Sequence, residues 1–477
     1  MIYPPQTSFI PITVAVTRWV EANGFGGNYP YWYLGTTPAK YLMGSVVPSV
    51  LVMLHKLLPN FSFFDLSLFF IFVSFFVSAV GWGTLAAKLS KNKSIGYLTG
   101  VLSLVLPWHI FYSFAFGEVS SVFTGSLTPW VLIAYAKFKI SNSKFKIILP
   151  VVAFAFLLLV NTTASIPAVV GLLILGLLKY KKWEEGFKEA LLVIFVGWLV
   201  TLFWYGPVYY LTIWGAPSFG GRSAAGSLVW VFNLLRGFIP FFLALFVVFW
   251  GVKTRSLFAK FALSWFLIFG FLTLVRFVAN LAFWLDFSAW VSEVEVGLAL
   301  LIAGSVSRFL PTAAIRLRVT KDFILLTIFF IYLVGGWVLA FANKSFWMPR
   351  KDIDQSVELR IGKELNNMVS KNDVVFLSGT TAFWLNSFYD IRQVRGGRDE
   401  ISQHPSWRAA EWEVRNGDSG IKAREALRSL GVTFLVVHMG ESQEFYHDFA
   451  NIDKFRTESG FNEIYRDHGD LIYRIAR

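Results

Sequence analysis

From residue 61 onward the chain reads as a succession of apolar runs separated by short polar or charged connections. Each run is long enough to cross a bilayer core of about 30 Å as a helix. The pattern predicts spans near 61–86, 95–115, 119–136, 145–161, 165–179, 189–211, 228–250, 258–275, 287–307 and 322–343. The polar break Asn161-Thr162-Thr163 makes 145–179 a tight helical hairpin. Residues 40–58 are also apolar but contain Pro48, His55 and Lys56, and they predict an amphipathic helix lying on the membrane interface. Beyond residue 350 charged residues become frequent. There the pattern predicts a helix over 352–370, a strand over 373–379, helices over 405–416 and 420–430, a buried strand over 432–438 and a short helix near 442–450. A terminal hairpin, 461–467 with 470–475, turns at His468-Gly469-Asp470. The expected fold is mainly α: a polytopic transmembrane bundle of about ten spans with a C-terminal extracytoplasmic α/β domain. Its parts are an outer loop with interface helices (1–60), a transmembrane helical domain (61–345) and a soluble domain (346–477).

Composition agrees with lipid as the solvent. Hydrophobic residues make up 55% of the 477 and charged residues 15%, against about 25% charged in soluble domains. Cysteine is absent, which removes disulfides, thiolate nucleophiles and Cys-based metal sites. The net charge of +13 has a simpler home in cytoplasmic loops than in a nucleic-acid surface, and no nucleic-acid partner is expected. The basic residues cluster in alternate connections: Lys88, Lys91 and Lys93; Lys137, Lys139, Lys144 and Lys146; Lys179, Lys181, Lys182 and Lys188; Lys253, Arg255 and Lys260; Arg308, Arg316, Arg318 and Lys321. Positive charge marks the cytoplasmic side, so residues 1–60 and the C-terminal domain are expected outside. An outside N-terminus without a signal peptide predicts a further helix ahead of Met1, absent from this sequence.

No phosphate-cradling Gly-rich loop, HExxH or His cluster is present. Gly417-Asp418-Ser419-Gly420 has the letters of a serine-protease nucleophile motif, but a helical segment follows at once, so it reads as a helix N-cap by Ser419 or Asp418. The informative residues are charges at or near the outer ends of the spans, where a charge faces a cavity or a partner. Glu118 follows Pro107-Trp108-His109 in a short outer loop; Asp65 opens the first span; Asp286, Glu293 and Glu295 cluster at the ninth; Arg222 lies in an even connection; Arg236 and Arg276 lie in the seventh and eighth. A carboxylate there can act as general base on an acceptor hydroxyl or hold a divalent cation. An arginine can grip a phosphate by paired hydrogen bonds. Solvation or mutual pairing at interface depth is the plainer role for Asp65, Asp286 and Arg222. Trp19, Tyr29, Tyr31, Trp32 and Tyr33 crowd the N-terminal segment; such aromatics anchor at headgroup level or stack on sugars.

Three stretches carry a resemblance. YPYWYLGTTPAKYLMGSVVP (29–48) is similar to a first outer loop leading into an interface helix. SFAFGEVSSVFTGSLTPWVL (113–132) is similar to a second outer loop and third span, with Glu118 in the place of an acidic residue. The stretch 424–475 is similar to the outer tail of large bacterial and archaeal membrane proteins. Together they resemble the GT-C superfamily of membrane glycosyltransferases, which use polyprenyl-phosphate-linked sugars. The resemblance implies sugar transfer at the outer membrane face, with membrane lipid and a polyprenyl-phosphate-linked sugar as partners. Glu118 would be the catalytic base or a ligand of a divalent cation; His109, Arg236, Arg276, Glu293, Glu295, Tyr31 and Trp32 would contact substrate. GT-C enzymes place a catalytic acid just after their first membrane helix, and this sequence begins downstream of that point, so only Glu118 carries over. The alternative is a non-catalytic transporter or assembly subunit for surface polysaccharide. A transporter would show paired broken helices in two halves, and no such repeat is visible.

Overall fold

The computed structural model describes residues 2–37, 44–137, 147–179, 183–215, 256–279, 287–309, 321–344, 348–397 and 406–476, with scattered positions between 228 and 247 and at 402 and 404. Within these the chain is mostly helical. In order come α1 (Ile10–Asn23), α2 (Val46–Leu57), α3 (Phe63–Ser90), α4 (Lys93–Val105), α5 (Pro107–Phe111), a π-helical turn (Tyr112–Phe116), α6 (Val119–Lys137), α7 (Ile148–Val160), α8 (Ile166–Lys179), α9 (Trp183–Val200), α10 (Pro207–Gly215), α11 (Leu257–Ala279), α12 (Phe287–Phe309) and α13 (Lys321–Ala342). The last part holds α14 (Val357–Met368), β1 (Val374–Phe376), α15 (Thr381–Phe388), β2 (Arg392–Gln393), α16 (Trp407–Asn416), α17 (Gly420–Ser429), β3 (Phe434–His438), α18 (Asp453–Thr457), β4 (Phe461–Asp467) and β5 (Asp470–Ile475).

Two compact units emerge. One comprises Met1–Leu68, Tyr205–Val229 and Met348–Arg477; the other comprises Phe69–Trp204 and Trp230–Trp347. The second is the apolar unit. Its outer face shows Phe69, Phe72, Val80, Phe195 and Phe277 to the surroundings, as helices do when lipid rather than water covers them. Four helical stretches are long and apolar enough to cross a membrane: Phe63–Ser90, Val119–Lys137, Trp183–Phe203 and Leu257–Val278. The pair α4–α5, bent by 55°, makes a fifth if taken as one broken span. Among the described residues the candidates are therefore four or five, where the sequence predicts about ten. One cause is length. The predicted spans 145–161 and 165–179 are two shorter helices; α7 has 13 residues and reaches only about 20 Å at 1.5 Å per residue. The predicted span 228–250 falls largely outside the described residues. The helix within 40–58, α2, has 12 residues, about 18 Å, too short to cross.

The other unit is built on a five-stranded sheet in the order β2-β1-β3-β5-β4. Strands β1 and β2, and β1 and β3, run parallel; β3–β5 and β4–β5 run antiparallel. Alternation of side chains assigns the two faces. Val375, Leu377, Phe434 and Val436 pack on Val357, Ile361 and Leu365 of α14. Val374, Phe376, Leu435 and Val437 pack on α16–α17 and on Ile12, Val16, Tyr29 and Trp32 from the start of the chain. The first helix therefore completes the core of a sheet formed more than 350 residues later. The hairpin forms as predicted: His468 and Gly469 both take positive φ (45° and 82°), the two-residue turn that matches strand twist. Ser419 caps α17, its hydroxyl accepting from the Lys422 N–H.

The helix predicted near 442–450 is absent, and a five-residue helix appears instead at Asp453–Thr457. The reason is a competing use of its side chains. Glu444 is buried and accepts the N–H groups of Thr380 (2.8 Å) and Thr381 (3.0 Å) together with both threonine hydroxyls. Asp448 accepts the Gly379 N–H at 3.0 Å and pairs with Arg415 and Arg395. The end of β1 and the start of α15, where open sheets of this kind hold ligand phosphates, is thus filled by a carboxylate of the chain itself.

Candidate functional site

In the apolar unit the helical run 93–116 breaks at Pro107. Proline has no N–H and crowds the preceding turn, and the residue before it is driven to extended geometry; Leu106 has φ −67° and ψ 119°. In apolar surroundings every backbone group so released needs a partner, and the structure supplies them from α12 and α13. The Val105 carbonyl accepts the Trp337 indole N–H at 3.0 Å. The Trp108 and His109 N–H groups donate to the two carboxylate oxygens of Glu295, at 3.0 and 2.6 Å, and the Tyr332 hydroxyl donates to the same group. Gly336 lets α13 approach: a Cβ there would lie 2.6 Å from Pro107 Cγ. His109 Nδ1 is 2.7 Å from Ser292 Oγ. The structure thus joins His109, Ser292, Glu295 and Tyr332 around one break.

The broken helix continues through the π-helical turn to Gly117 and Glu118. Glu118 is 3% exposed and stands immediately before α6, whose positive dipole end favours a carboxylate. The Ser120 hydroxyl donates to one of its oxygens (2.9 Å) and the Ser121 hydroxyl to the other (3.0 Å). The fully buried Asn161 amide donates to both serine oxygens at 3.1 and 3.3 Å. Its own carbonyl accepts the N–H groups of Thr163 and Ala164. The predicted polar break at Asn161 is therefore real and is tied through two serines to Glu118, but α7 and α8 pack on α6 and α9 rather than on each other as a tight hairpin.

The remaining predicted residues are dispersed. Glu293 lies on α12 and is buried, and its Oε2 has no hydrogen-bond partner among the described residues. Arg276 lies in the last turn of α11, partly buried. Arg236, Asp286 and Arg222 lie outside the described residues. In the sheet unit, Asp65 accepts from the Ile2 N–H (2.8 Å) and from Ser62, a local clasp. Tyr31 borders a cleft. Trp32 is fully buried against Tyr29, with its indole over Gly396. Ser120, Ser121, Ser292, Tyr332 and Trp337 escape a search for charges.

Among the described residues no group of three or more His, Asp or Glu side chains is placed to hold a metal ion. Beside the Glu118 carboxylate stand the Ser120 and Ser121 hydroxyls and, behind them, the Asn161 amide.

Comparison with known structures places this architecture. The arabinofuranosyltransferase AftD from Mycobacteria superposes with a TM-score of 0.55 at 15% identity, covering 100% of this chain and 38% of that one. The oligosaccharyltransferase of Archaeoglobus fulgidus gives 0.55 at 11% identity, covering 99% and 71%. ArnT from Cupriavidus metallidurans gives 0.51 at 11% identity, covering 99% and 94%. The fold is that of the GT-C membrane glycosyltransferases. The chain spans little more than a third of the mycobacterial enzyme but nearly the whole of ArnT. Residues 50–219 match a family described as a 6-pyruvoyl-tetrahydropterin synthase related domain and membrane protein. No curated protein matches the chain in sequence. The protein is thus a membrane protein with a GT-C fold, in which the Pro107 break and the Glu118 clasp belong to the apolar unit.

Proposed function

We propose that the protein is a GT-C-like glycosyltransferase that moves a sugar from a polyprenyl-phosphate donor to an acceptor at the outer membrane face. The supporting observation is that the likeness to three such structures runs over 99–100% of this chain, sheet unit included. A further structure of the archaeal oligosaccharyltransferase, 10% identical with a TM-score of 0.51, holds a dolichol-phosphate, which supports a lipid-phosphate partner here. In this reading about ten spans follow residue 60, with the basic connections in the cytoplasm and residues 1–60 and 346–477 outside. Helix α2 lies on the interface, with the exposed Met53 and Leu57 toward lipid. Glu118 is the base or, with the donor phosphate, a cation ligand. Arg276 and Arg236 hold the lipid phosphate. Glu293 and His109 border the substrate, while Glu295 braces the Pro107 break.

The test is transfer from labelled polyprenyl-phosphate sugars in membranes carrying the full-length protein. Glu118→Gln keeps the shape and one acceptor but loses the charge, and should lower transfer by about 100-fold or more. Unchanged transfer removes Glu118 from the mechanism. A second reading, a non-catalytic assembly subunit, draws on the observation that the carboxylates of Glu118 and Glu295 are both engaged in holding helix ends. It predicts no transfer from any donor by the wild-type protein, while deletion of the protein still removes a surface glycan.

A further inference from the structure

The sheet unit contains a cleft of about 580 Å³, within the range of about 300–1,000 Å³ usual for small-molecule sites. One wall is α1 and the aromatic loop after it; the other includes the start of α3 and the end of α15. Its chemistry is uneven in an informative way. Trp19 and Tyr31 offer aromatic rings, and Arg18, Glu21, His55 and Asp390 offer planar polar groups. The polar groups come in pairs: Arg18 lies 3.6 Å from Asp390, and His55 Nδ1 lies 2.8 Å from Glu21. One arginine faces two carboxylates, so the cleft carries no surplus positive charge with which to bind a phosphate.

The groups are held in advance of any ligand. Trp19, Tyr29 and Tyr31 meet edge to face, with centroids 5.3–5.8 Å apart. The Tyr31 carbonyl accepts the Gln393 N–H at 2.9 Å, and Arg18 also donates to the Asn386 carbonyl at 3.0 Å. Burial, and after it the Asp390 carboxylate, push the Tyr31 phenol further above its ordinary range. All six side chains keep some exposure, so a ligand can reach them.

We infer that this cleft binds a neutral saccharide. A sugar ring presents C–H faces that stack on aromatic rings and hydroxyl edges that exchange paired hydrogen bonds with planar carboxylate, imidazole and guanidinium groups. Aromatic faces beside paired planar groups, with carboxylates outnumbering the arginine, suit that surface and suit neither an anion nor a purely apolar ligand. A preformed site limits the ordering cost of binding. The inference stands on the cleft itself and holds whether or not the apolar unit catalyses transfer.

The experiment is calorimetry and saturation-transfer NMR on the full chain in lipid nanodiscs. The probes are maltose, cellobiose, mannobiose and galactobiose, with glucose 1-phosphate as the anionic control. At least one neutral disaccharide should bind saturably and outcompete glucose 1-phosphate. Asp390→Asn and Glu21→Gln, both at partly exposed positions, should weaken it by about tenfold each, the loss of one charge-assisted hydrogen bond. Trp19→Ala should weaken it at least as much in protein whose melting temperature is unchanged. Binding of no neutral probe, preference for the phosphate, or affinity indifferent to Asp390→Asn and Glu21→Gln would overturn the inference.

Discussion

Glu444 in the sheet unit and Glu295 in the apolar unit each grip the start of a short helix by two backbone N–H groups and at least one hydroxyl. The surroundings differ. Glu444 belongs to a polar network that includes Asp448, Arg415 and Arg395 beside it, in a domain rich in charged residues. Glu295 reaches across from α12 to a break made by a proline, among helices whose outer faces are apolar. One physical need, partners for the N–H groups that open a helix, is met by the same chemistry in both places. What changes is the company each carboxylate keeps: charged groups beside Glu444, apolar helices around Glu295.

Glu295→Ala should be the most damaging single change. It strands the Trp108 and His109 N–H groups where lipid cannot replace the carboxylate, a loss of roughly 2–6 kcal/mol at about 1–3 kcal/mol per group. Folded protein after detergent extraction should fall sharply, and the two amides should lose protection from hydrogen exchange. Glu444→Ala should cost less, about 2–3 kcal/mol, because the space its carboxylate leaves, beside the charged Asp448, Arg415 and Arg395, fills with water that pairs the Thr380 and Thr381 groups. Equal melting losses in the two variants would dissolve the distinction.

The sheet unit should also respond to acid in a way set by Asp470. Burial raises its carboxyl, but hydrogen bonds from His438 and Ser442 and the bond from Arg360 outweigh this and hold it below its ordinary 3.8. A carboxylate depressed in the folded state stabilises above its unfolded pKa, and that stabilisation is lost as pH falls through the folded value. Acid should therefore loosen this unit below about pH 4, and Asp470→Asn should flatten the pH dependence of its melting. Smallest in size, Ser419→Ala removes the cap of α17 and should cost about 1 kcal/mol, read as a small drop in melting temperature with no change at the Glu444 contact.

The legibility of the fold followed the strength of local signals. The apolar runs that became α3, α6 and α11, the strand Phe434–His438 and the turn at His468-Gly469 could be read because each is dictated by neighbours in sequence. The local pattern predicts a helix over 442–450, but Glu444 and Asp448 take partners some 65 residues earlier, which no local pattern encodes. Of the candidate site, Glu118, Glu293 and Glu295 stood out because a carboxylate in an apolar run is costly and must have a use. Ser292, Tyr332 and Trp337 did not, since a hydroxyl or an indole raises no such alarm until a broken helix faces it.

Sequence alone determined that this chain belongs in a membrane, that most of it is helical and that a charged α/β segment closes it, because solvent preference and helix period are properties of each stretch by itself. Only the tertiary structure decided that the first helix completes the sheet's core, that Trp32 is packing while Tyr31 borders a cleft, and that Glu295 serves the Pro107 break. Those facts depend on which distant groups meet, and burial and hydrogen bonding reward such meetings only once the chain has folded.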